Sequence, residues 1–277
     1  MTDPVRYTAR PELRQPAMVV GWAMDAGRLG SRVTDYLVRG LQAQPFCEIE
    51  PVGFFPLSGV TIAGDVAFFP ESRFYAAPDK DLVIFRSPPP VAEWYQFFQC
   101  MLSVAEACHV RQVFTVGSMI ALGPHSAPRQ LFGTMSSEEM KQELQRYRLT
   151  REVDYQTPPG GKPTLNSFFL WAARRRGIPG ANLWLPVPFY LISSEDPAGY
   201  RAVIAFLNDY LGLELDLTGL NEQVKELNQR LDRLRHANPE VDTAFTRLEQ
   251  GSRLSEGEGE RLVHLVEEYL REPENPR

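Results

Sequence analysis

The residues best suited to chemistry lie in a short loop near the N-terminus. The loop at 21–31 separates an apolar run from a run with helical spacing, and it contains Asp25, Gly27, Gly30 and Ser31. Backbone N–H groups at such a helix start can hold an anion or a ribose hydroxyl, and a carboxylate beside them can accept a hydrogen bond from a hydroxyl. The same residues also suit a tight turn in which Asp25 caps the helix. The loop is therefore a candidate ligand site with a structural alternative.

A second candidate position follows a predicted strand further along the chain. Gly117 and Ser118 end that strand, and α/β sheets bind ligands at the carboxyl ends of their strands. His125 lies in a nearby proline-containing loop and could approach Ser118, although a structural hydrogen bond is the simpler role for it. The candidate ligand-binding residues are therefore Asp25, Gly27, Gly30, Ser31, Gly117, Ser118 and His125. No catalytic residue is assigned among them.

Signatures of catalysis and metal binding are missing from the sequence. It contains no P-loop, zinc-protease or nucleophile-elbow pattern. The four His are scattered, and Cys47, Cys100 and Cys108 form no C-x-x-C pair. We therefore expect no metal centre, no disulfide framework and no cofactor, and an enzymatic role is not favoured.

Composition and charge narrow the class of protein. The chain has 277 residues, of which 43% are hydrophobic and 23% charged, which is ordinary for a globular protein that folds without disulfides. Its net charge of −6 argues against a nucleic-acid partner, which a basic face would attract. No uncharged apolar run approaches the ~18–20 residues that span a bilayer, and the N-terminus lacks the apolar core of a signal peptide. We expect a cytoplasmic protein without a membrane partner.

Predicted strands and helices alternate along most of the chain, which is typical of an α/β domain. Strands are predicted at 18–22, 47–55, 81–85, 111–116, 130–134 and 182–190, with two short ones within 65–77. Helices are predicted at 29–41, 91–108, 136–147, 165–176 and 197–211. Thr164 and Asp196 precede the last two helices and are predicted to cap them.

The composition changes near residue 215, where a heptad seam begins. The seam consists of Leu220, Val224, Leu227, Leu231 and Leu234. It is too short for a free coiled coil, so the helices that carry it are expected to pack on the body or on a neighbouring subunit. The predicted parts are a flexible arm (1–15), an α/β core (16–215), a C-terminal helical appendage (216–271) and a disordered tail (272–277).

An ordered series of short segments resembles the proteasome assembly chaperone 2 family. The segments are 20–27 with Gly30 and Ser31, 36–37, 45–46, 49–51, 54–55, 81–85 with the prolines after it, Trp94, 117–118, 124–125 and 183–190. Their order makes the resemblance specific over about residues 16–250. It implies a three-layer α/β/α domain with a mixed, mostly parallel sheet, similar to the nucleoside phosphorylase and hydrolase fold, with helices added at the C-terminus.

The resemblance also implies a function. Eukaryotic relatives help to assemble proteasome rings as dimers, so a prokaryotic member is expected to be a non-enzymatic factor that binds proteins, including copies of itself. Archaeal relatives dock on proteasomes through a tail that ends hydrophobic-Tyr-X, whereas this chain ends Asn275-Pro276-Arg277. Docking of that kind is not expected.

Two other functions stay open. One is a nucleosidase-like enzyme or nucleotide sensor, in which Asp25 would bind a ribose or purine group at the strand ends. The family often reads Pro-His-Thr-Arg-Pro where this chain has Ser126 and Ala127, and Pro-His-Tyr where it has Phe189, so polar groups of such a pocket are lost. The other is a scaffold whose helical appendage mainly mediates homo-oligomerisation. A small-molecule ligand remains compatible with the sequence.

Overall fold

Ten strands and eight helices make up the regular structure of the described residues, which are 4–56, 60–150 and 160–271 of a computed structural model. The strands are β1 Val5–Tyr7, β2 Ala17–Trp22, β3 Gln44–Ile49, β4 Thr61–Ala63, β5 Val66–Phe68, β6 Ser72–Ala77, β7 Leu82–Ser87, β8 Gln112–Ala121, β9 Phe132–Met135 and β10 Gly180–Pro188. The helices are α1 Leu29–Gly40, α2 Trp94–Ala107, α3 Glu138–Glu143, α4 Leu165–Arg175, α5 Pro197–Leu211, α6 Thr218–Ala237, α7 Pro239–Glu249 and α8 Glu256–Arg271.

Eight of the strands form one mixed sheet in the order β1-β3-β6-β7-β2-β8-β10-β9. The four central strands, β7, β2, β8 and β10, are parallel, and antiparallel strands flank them on both sides. β8 continues past the predicted end at residue 116 because β10 pairs with it as far as Ala121. The strand predicted at 47–55 ends at Ile49, because a turn follows in which Phe54 N–H donates to Pro51 O.

Apolar residues alternate between the two faces of the sheet and create two cores. In β2, Ala17 and Val19 face the core that α1, α3 and α5 cover, whereas Met18 and Val20 face the core under α2 and α4. Strands buried on both faces read as continuous apolar runs, as β2 does. The predicted three-layer α/β/α architecture with a mixed, mostly parallel sheet is confirmed.

Part of the predicted flexible arm is an edge strand, which corrects the sequence analysis. Val5–Tyr7 pairs antiparallel with β3, and the N–H groups of Arg14 and Gln15 donate to the carboxylate of Asp81 at 2.9 and 3.0 Å. A three-residue strand containing Arg6 has no periodicity that could be recognised, because long-range pairing defines it. The predicted disordered tail, 272–277, lies outside the described residues.

The C-terminal helices α6–α8 pack on the body. Leu231, Phe245 and Val266 are buried and share one apolar cluster with Leu185 and Val187 of β10. The heptad seam thus faces the protein's own core, while the domain boundary near residue 215 stays a prediction. Within the described ranges, no helix is both long and apolar enough to cross a membrane.

Candidate functional site

The loop between β2 and α1 brings a buried carboxylate to the start of a helix. Asp25 is extended and its Oδ2 accepts a hydrogen bond from Gly30 N–H at 2.9 Å. Gly27 has a φ of +66°, which glycine adopts without strain, and its N–H donates to Ile192 O at 2.9 Å. A Cβ on Gly30 would lie 2.9 Å from the backbone N and O of Trp22. The two glycines therefore allow a tight turn and a close approach of α1 to β2.

Asp25 and Ser118 lie side by side, as the strand-end prediction requires. Burial raises the pKa of Asp25 to about 6, while the Gly30 N–H and the nearby Ser118 hydroxyl lower it. Neither Asp25 Oδ1 nor Ser118 Oγ makes a hydrogen bond of normal geometry, although both atoms are buried. An unsatisfied buried polar group costs about 1–3 kcal/mol, so this pair is a local concentration of unfavourable energy. Groups held in unfavourable environments of this kind occur more often at functional sites than elsewhere in proteins.

Gly117 faces a buried amide network that the sequence analysis did not identify. The Trp22 indole N–H donates to Asn166 Oδ1 at 2.6 Å, and Asn166 Nδ2 donates to Asn182 Oδ1 at 3.1 Å and to Val116 O at 3.3 Å. A Cβ on Gly117 would lie 2.7 Å from that Nδ2 atom. Gly117 thus leaves room for Asn166 rather than for a ligand. The sequence signal that could have indicated this network is Asn166, the polar residue on the otherwise apolar buried face of α4.

His125 is half-buried and lies between Tyr190 and the C-terminal helices. Its Nδ1 lies 2.9 Å from the Tyr190 hydroxyl, which also accepts from the His125 backbone N–H at 2.6 Å. Because the Tyr190 oxygen accepts the hydrogen bond from the His125 backbone N–H, the Tyr190 hydroxyl can donate its own proton to His125 Nδ1. The ring packs against Phe245 of α7 at 4.8 Å between centroids. Burial, followed by the charge of Arg129, lowers the pKa of His125 to about 4. His125 is therefore neutral near pH 7 and joins the 122–129 loop to α7.

This neutral histidine predicts a loss of stability in acid. The folded pKa of about 4 lies below the ordinary value of 6.5, so the unfolded chain binds the additional proton first as pH falls. Its contribution to the free energy of unfolding should drop by about 2 kcal/mol between pH 7 and pH 5. Urea titrations at both pH values should show this drop in the wild type, relative to a His125→Asn variant. The exposed His264 of α8 provides a control in His264→Asn, and equal pH dependence of wild type and His125→Asn would contradict the assignment.

The open cleft at the strand ends lies to one side of the predicted site. It has a volume of about 490 Å³ and is located where β2 and β7 end. Its lining includes Gly21, Ser31, Phe68, Phe69, Arg73 and Arg86. Ser31 alone among the predicted ligand-binding residues contributes to it. The structure thus unites Asp25 with Ser118 and separates both from the cleft, and their role in binding stays a prediction.

The carboxyl end of the sheet exposes an unusual number of large apolar side chains. We call this set the strand-end surface: Met24, Val52, Ile62, Val66, Phe68, Phe69, Val91, Met119, Ile120 and Leu122. Each exposes between 46% and 79% of its surface. Summed over the ten residues, the exposed area is on the order of 1,000 Å², taking roughly 150–200 Å² for each side chain. Exposed apolar side chains that gather on one face mark interaction sites, and Met24, Phe68, Phe69 and Val91 do so around the cleft. Sequence reasoning missed this surface because the exposure of an apolar side chain depends on which elements pack beside it in the folded chain.

Within the described ranges, no three His, Cys, Asp or Glu side chains lie close enough together to hold a metal ion.

The sequence model of the PAC2 family matches residues 18–235 of the chain. No curated protein matches the chain.

Several solved structures share the fold. A Mycobacterium tuberculosis protein of unknown function, Rv2714, is 19% identical with a TM-score of 0.76, over 91% of this chain and 89% of that one. A Mycobacterium tuberculosis proteasome-assembly chaperone homologue, Rv2125, is 22% identical with a TM-score of 0.68, over 78% and 94%. PbaB of Pyrococcus furiosus, an archaeal proteasome activator, is 22% identical with a TM-score of 0.66, over 83% and 97%. Likeness at these identities establishes a common fold.

Proposed function

The chain belongs to the PAC2 family, and from that membership we propose that it is a non-enzymatic assembly factor, which binds subunits of a larger protein complex and copies of itself. The observation that carries the proposal is the strand-end surface. Its exposed apolar area matches what a specific protein interface needs, which is about 800 Å² on each partner. Relatives of the same fold are described as a proteasome-assembly chaperone homologue and a proteasome activator, so a proteasome-like ring is the first partner to test.

The chemistry of the candidate site supports binding rather than catalysis. His125 is neutral, half-buried and bound to Tyr190, and the Ser118 hydroxyl lies beside the Asp25 carboxylate, whose Oδ1 makes no hydrogen bond among the described residues. A nucleophile needs a base within hydrogen-bond reach that is in turn oriented by a third group. Within the described residues, the strand ends do not assemble that arrangement.

Partner binding should depend on the part of the strand-end surface that β8 carries. Ile120 is 55% exposed, so Ile120→Asp should fold normally yet place an unpaired charge in the interface. Central interface residues contribute about 2–4 kcal/mol, so capture of partner subunits by the tagged full-length chain in its native cell should fall at least tenfold. Cross-linking followed by mass spectrometry would identify those subunits.

A matched control is Trp171→Ser, because Trp171 of α4 is 47% exposed and lies outside the strand-end surface. This variant should retain its partners. Recovery of the chain alone, with no ring subunit enriched in the wild type under several growth conditions, would count decisively against an assembly role.

The alternative of a nucleoside-binding protein rests on one observation, the unsatisfied Asp25 carboxylate with its raised pKa. The burial of Oδ1 counts against it, because a ligand would reach that atom only after the loop moves. A nucleoside or nucleotide that raises the melting temperature of the wild type, but not of Asp25→Asn, would favour this alternative over the assembly factor.

A further inference from the structure

A groove of about 540 Å³ separates α5 from the chain that leads from α3 to Thr150. Thr150 N–H donates to Leu131 O at 2.8 Å, and Gly133 N–H donates to Thr150 O at 3.2 Å, so this part of the chain is tied to β9. Ala202 and Ala205 of α5 line the groove, and their small side chains leave room in it. None of the described residues that line it belongs to the strand-end surface or to the candidate ligand-binding set, so the groove is a separate feature of the molecule.

Two exposed arginines line this groove. Arg146 and Arg148 flank Tyr147, whose backbone is extended at φ −91° and ψ 151°. Residues on either side of an extended residue share one side of the chain and lie about 7 Å apart. The Tyr147 ring packs on Phe206 and Tyr210 at 5.6 and 5.2 Å between centroids. The Arg146 guanidinium lies 5.2 Å from the centre of the Tyr147 ring, so this packed ring restrains the arginine beside it.

The charges of the two arginines are not neutralised within the described part of the chain. Neither the Arg146 nor the Arg148 guanidinium forms an ion pair there. Arg73 in the 490 Å³ cleft differs in this respect, because it pairs with Glu71 at 2.8 Å. Asp209 of α5 lines the groove as well, but it is not paired with either arginine. The groove is therefore a local positive patch on a chain whose net charge is −6.

This arrangement of charge fits an acidic segment in an extended conformation. Arginine binds a carboxylate through two parallel N–H···O bonds, which are about twice as strong as bonds between neutral groups. Alternate side chains of an extended chain lie about 7 Å apart on one side, which is the spacing of the two arginines. Two carboxylates separated by one residue therefore suit Arg146 and Arg148. A nucleic acid fits less well, because its backbone needs many basic groups, whereas this groove offers two unpaired ones and the opposing carboxylate of Asp209.

We propose that the groove along α5 binds an acidic, extended segment of a partner protein, with two carboxylates of that segment paired to Arg146 and Arg148. The inference goes beyond the proposed function, because it places a second contact away from the strand-end surface. Since the chain as a whole carries a charge of −6, its attraction for an acidic segment is confined to this groove. Local complementarity of this kind fixes the register of a partner more than it adds affinity. Salt weakens the contact, because both arginines are exposed.

The test measures how well the immobilised full chain retains two pools of short peptides. One pool has Glu or Asp at two positions separated by one random residue, and the matched pool has Gln or Asn at those positions. The wild type should retain the acidic pool at least tenfold better than the amide pool at low salt, and this preference should fall severalfold at high salt. Asp209→Asn should increase the preference, because it removes a carboxylate that repels the acidic peptides. Equal retention of the two pools by the wild type overturns the proposal.

Matched variants locate the binding. Arg146→Glu/Arg148→Glu should abolish the preference for the acidic pool. Arg174→Glu/Arg175→Glu makes the same change of charge at an exposed pair of α4, where Arg175 lies 5.3 Å from the centre of the Trp171 ring, and it should keep the preference. A loss in both double variants would show a general response to charge, and no loss in the first would place the peptides elsewhere. Either result overturns the proposal.

Further controls separate folding, the strand-end surface and other polyanions. Arg146→Gln/Arg148→Gln removes the charges without reversing them and should also lose the preference, which makes the result independent of a folding defect in the Glu variant. Ile120→Asp lies on the β8 side of the strand-end surface, which consists of Met119, Ile120 and Leu122, and it should leave peptide retention unchanged. Partner capture and peptide retention therefore test different surfaces. A labelled single-stranded oligonucleotide that displaces the acidic pool at equal concentration would replace the acidic segment by a nucleic acid.

Discussion

Replacing Arg129 by methionine is expected to destabilise the protein by about 3–5 kcal/mol. The Arg129 side chain is 8% exposed and that of Asp196 is 1% exposed. Arg129 Nε donates to Asp196 Oδ2 at 2.9 Å and Nη2 donates to Oδ1 at 3.1 Å. Without the guanidinium, Asp196 would remain a buried and unpaired carboxylate, which is among the most costly defects that one substitution can create.

Urea unfolding of the wild type and of Arg129→Met at pH 7 measures this cost. The double variant Arg129→Met/Asp196→Asn should recover much of it, because no buried charge is left without a partner. Arg247→Met is the matched control, since Arg247 and Glu258 form a solvent-exposed ion pair of the kind that contributes at most about 1 kcal/mol. Equal costs for Arg129→Met and Arg247→Met would show that the buried pair does not stabilise the fold in this way.

Asp25→Asn is expected to stabilise the protein by up to about 3 kcal/mol near pH 7. The folded pKa of about 6 lies above the ordinary value of 3.8, so the folded chain holds a proton that the unfolded chain releases as pH rises. Stability from this group is therefore complete below about pH 3.8 and is lost as pH rises through 6. Asparagine keeps an oxygen to accept from Gly30 N–H, and its amide group can donate to Ser118 Oγ.

The measurement is the difference in the free energy of unfolding between Asp25→Asn and wild type from pH 4.5 to pH 8. That difference should grow with pH. The wild-type profile alone is insufficient, because the pH dependence of His125 has the opposite sign over an overlapping range. The exposed Asp209 of α5 supplies a control for the loss of a carboxylate in Asp209→Asn. A difference for Asp25→Asn that stays constant between pH 4.5 and pH 8 would contradict the raised pKa of Asp25.

The elements that sequence reasoning located correctly are those with strong local patterns. β2 is a continuous apolar run, Thr164 caps α4 by accepting from Ser167 N–H, and Pro197 begins α5. Asp196 shows the limit of such local reasoning. It precedes α5 as predicted, yet its side chain makes no capping hydrogen bond because Arg129, distant in sequence, binds both of its oxygens.

The candidate site was predictable to a similar degree. Asp25 and Ser118 could be brought together by a general rule, because parallel strands place their carboxyl ends at one edge of a sheet. The partners of His125 and Gly117 are Tyr190 and Asn166, and their proximity depends on how separate elements pack. The exposure of Val66 and its neighbours also depends on tertiary structure, since β4 and β5 remain outside the main sheet.

The loop after β8 carries a consequence for recognition. Its contacts include those of Arg129 with Asp196 and with the His125 carbonyl, of the His125 ring with Tyr190, and of the Ser126 hydroxyl with Glu249 of α7. Leu122 directly precedes this fixed segment, so the β8 side of the strand-end surface is ordered when the chain folds. A partner that docks there loses little conformational entropy of the loop, and preorganisation of this kind raises affinity without any added contact. Because α7 contacts this loop through Glu249 and Phe245, the C-terminal helices contribute to the affinity for a partner that binds at the carboxyl end of the sheet.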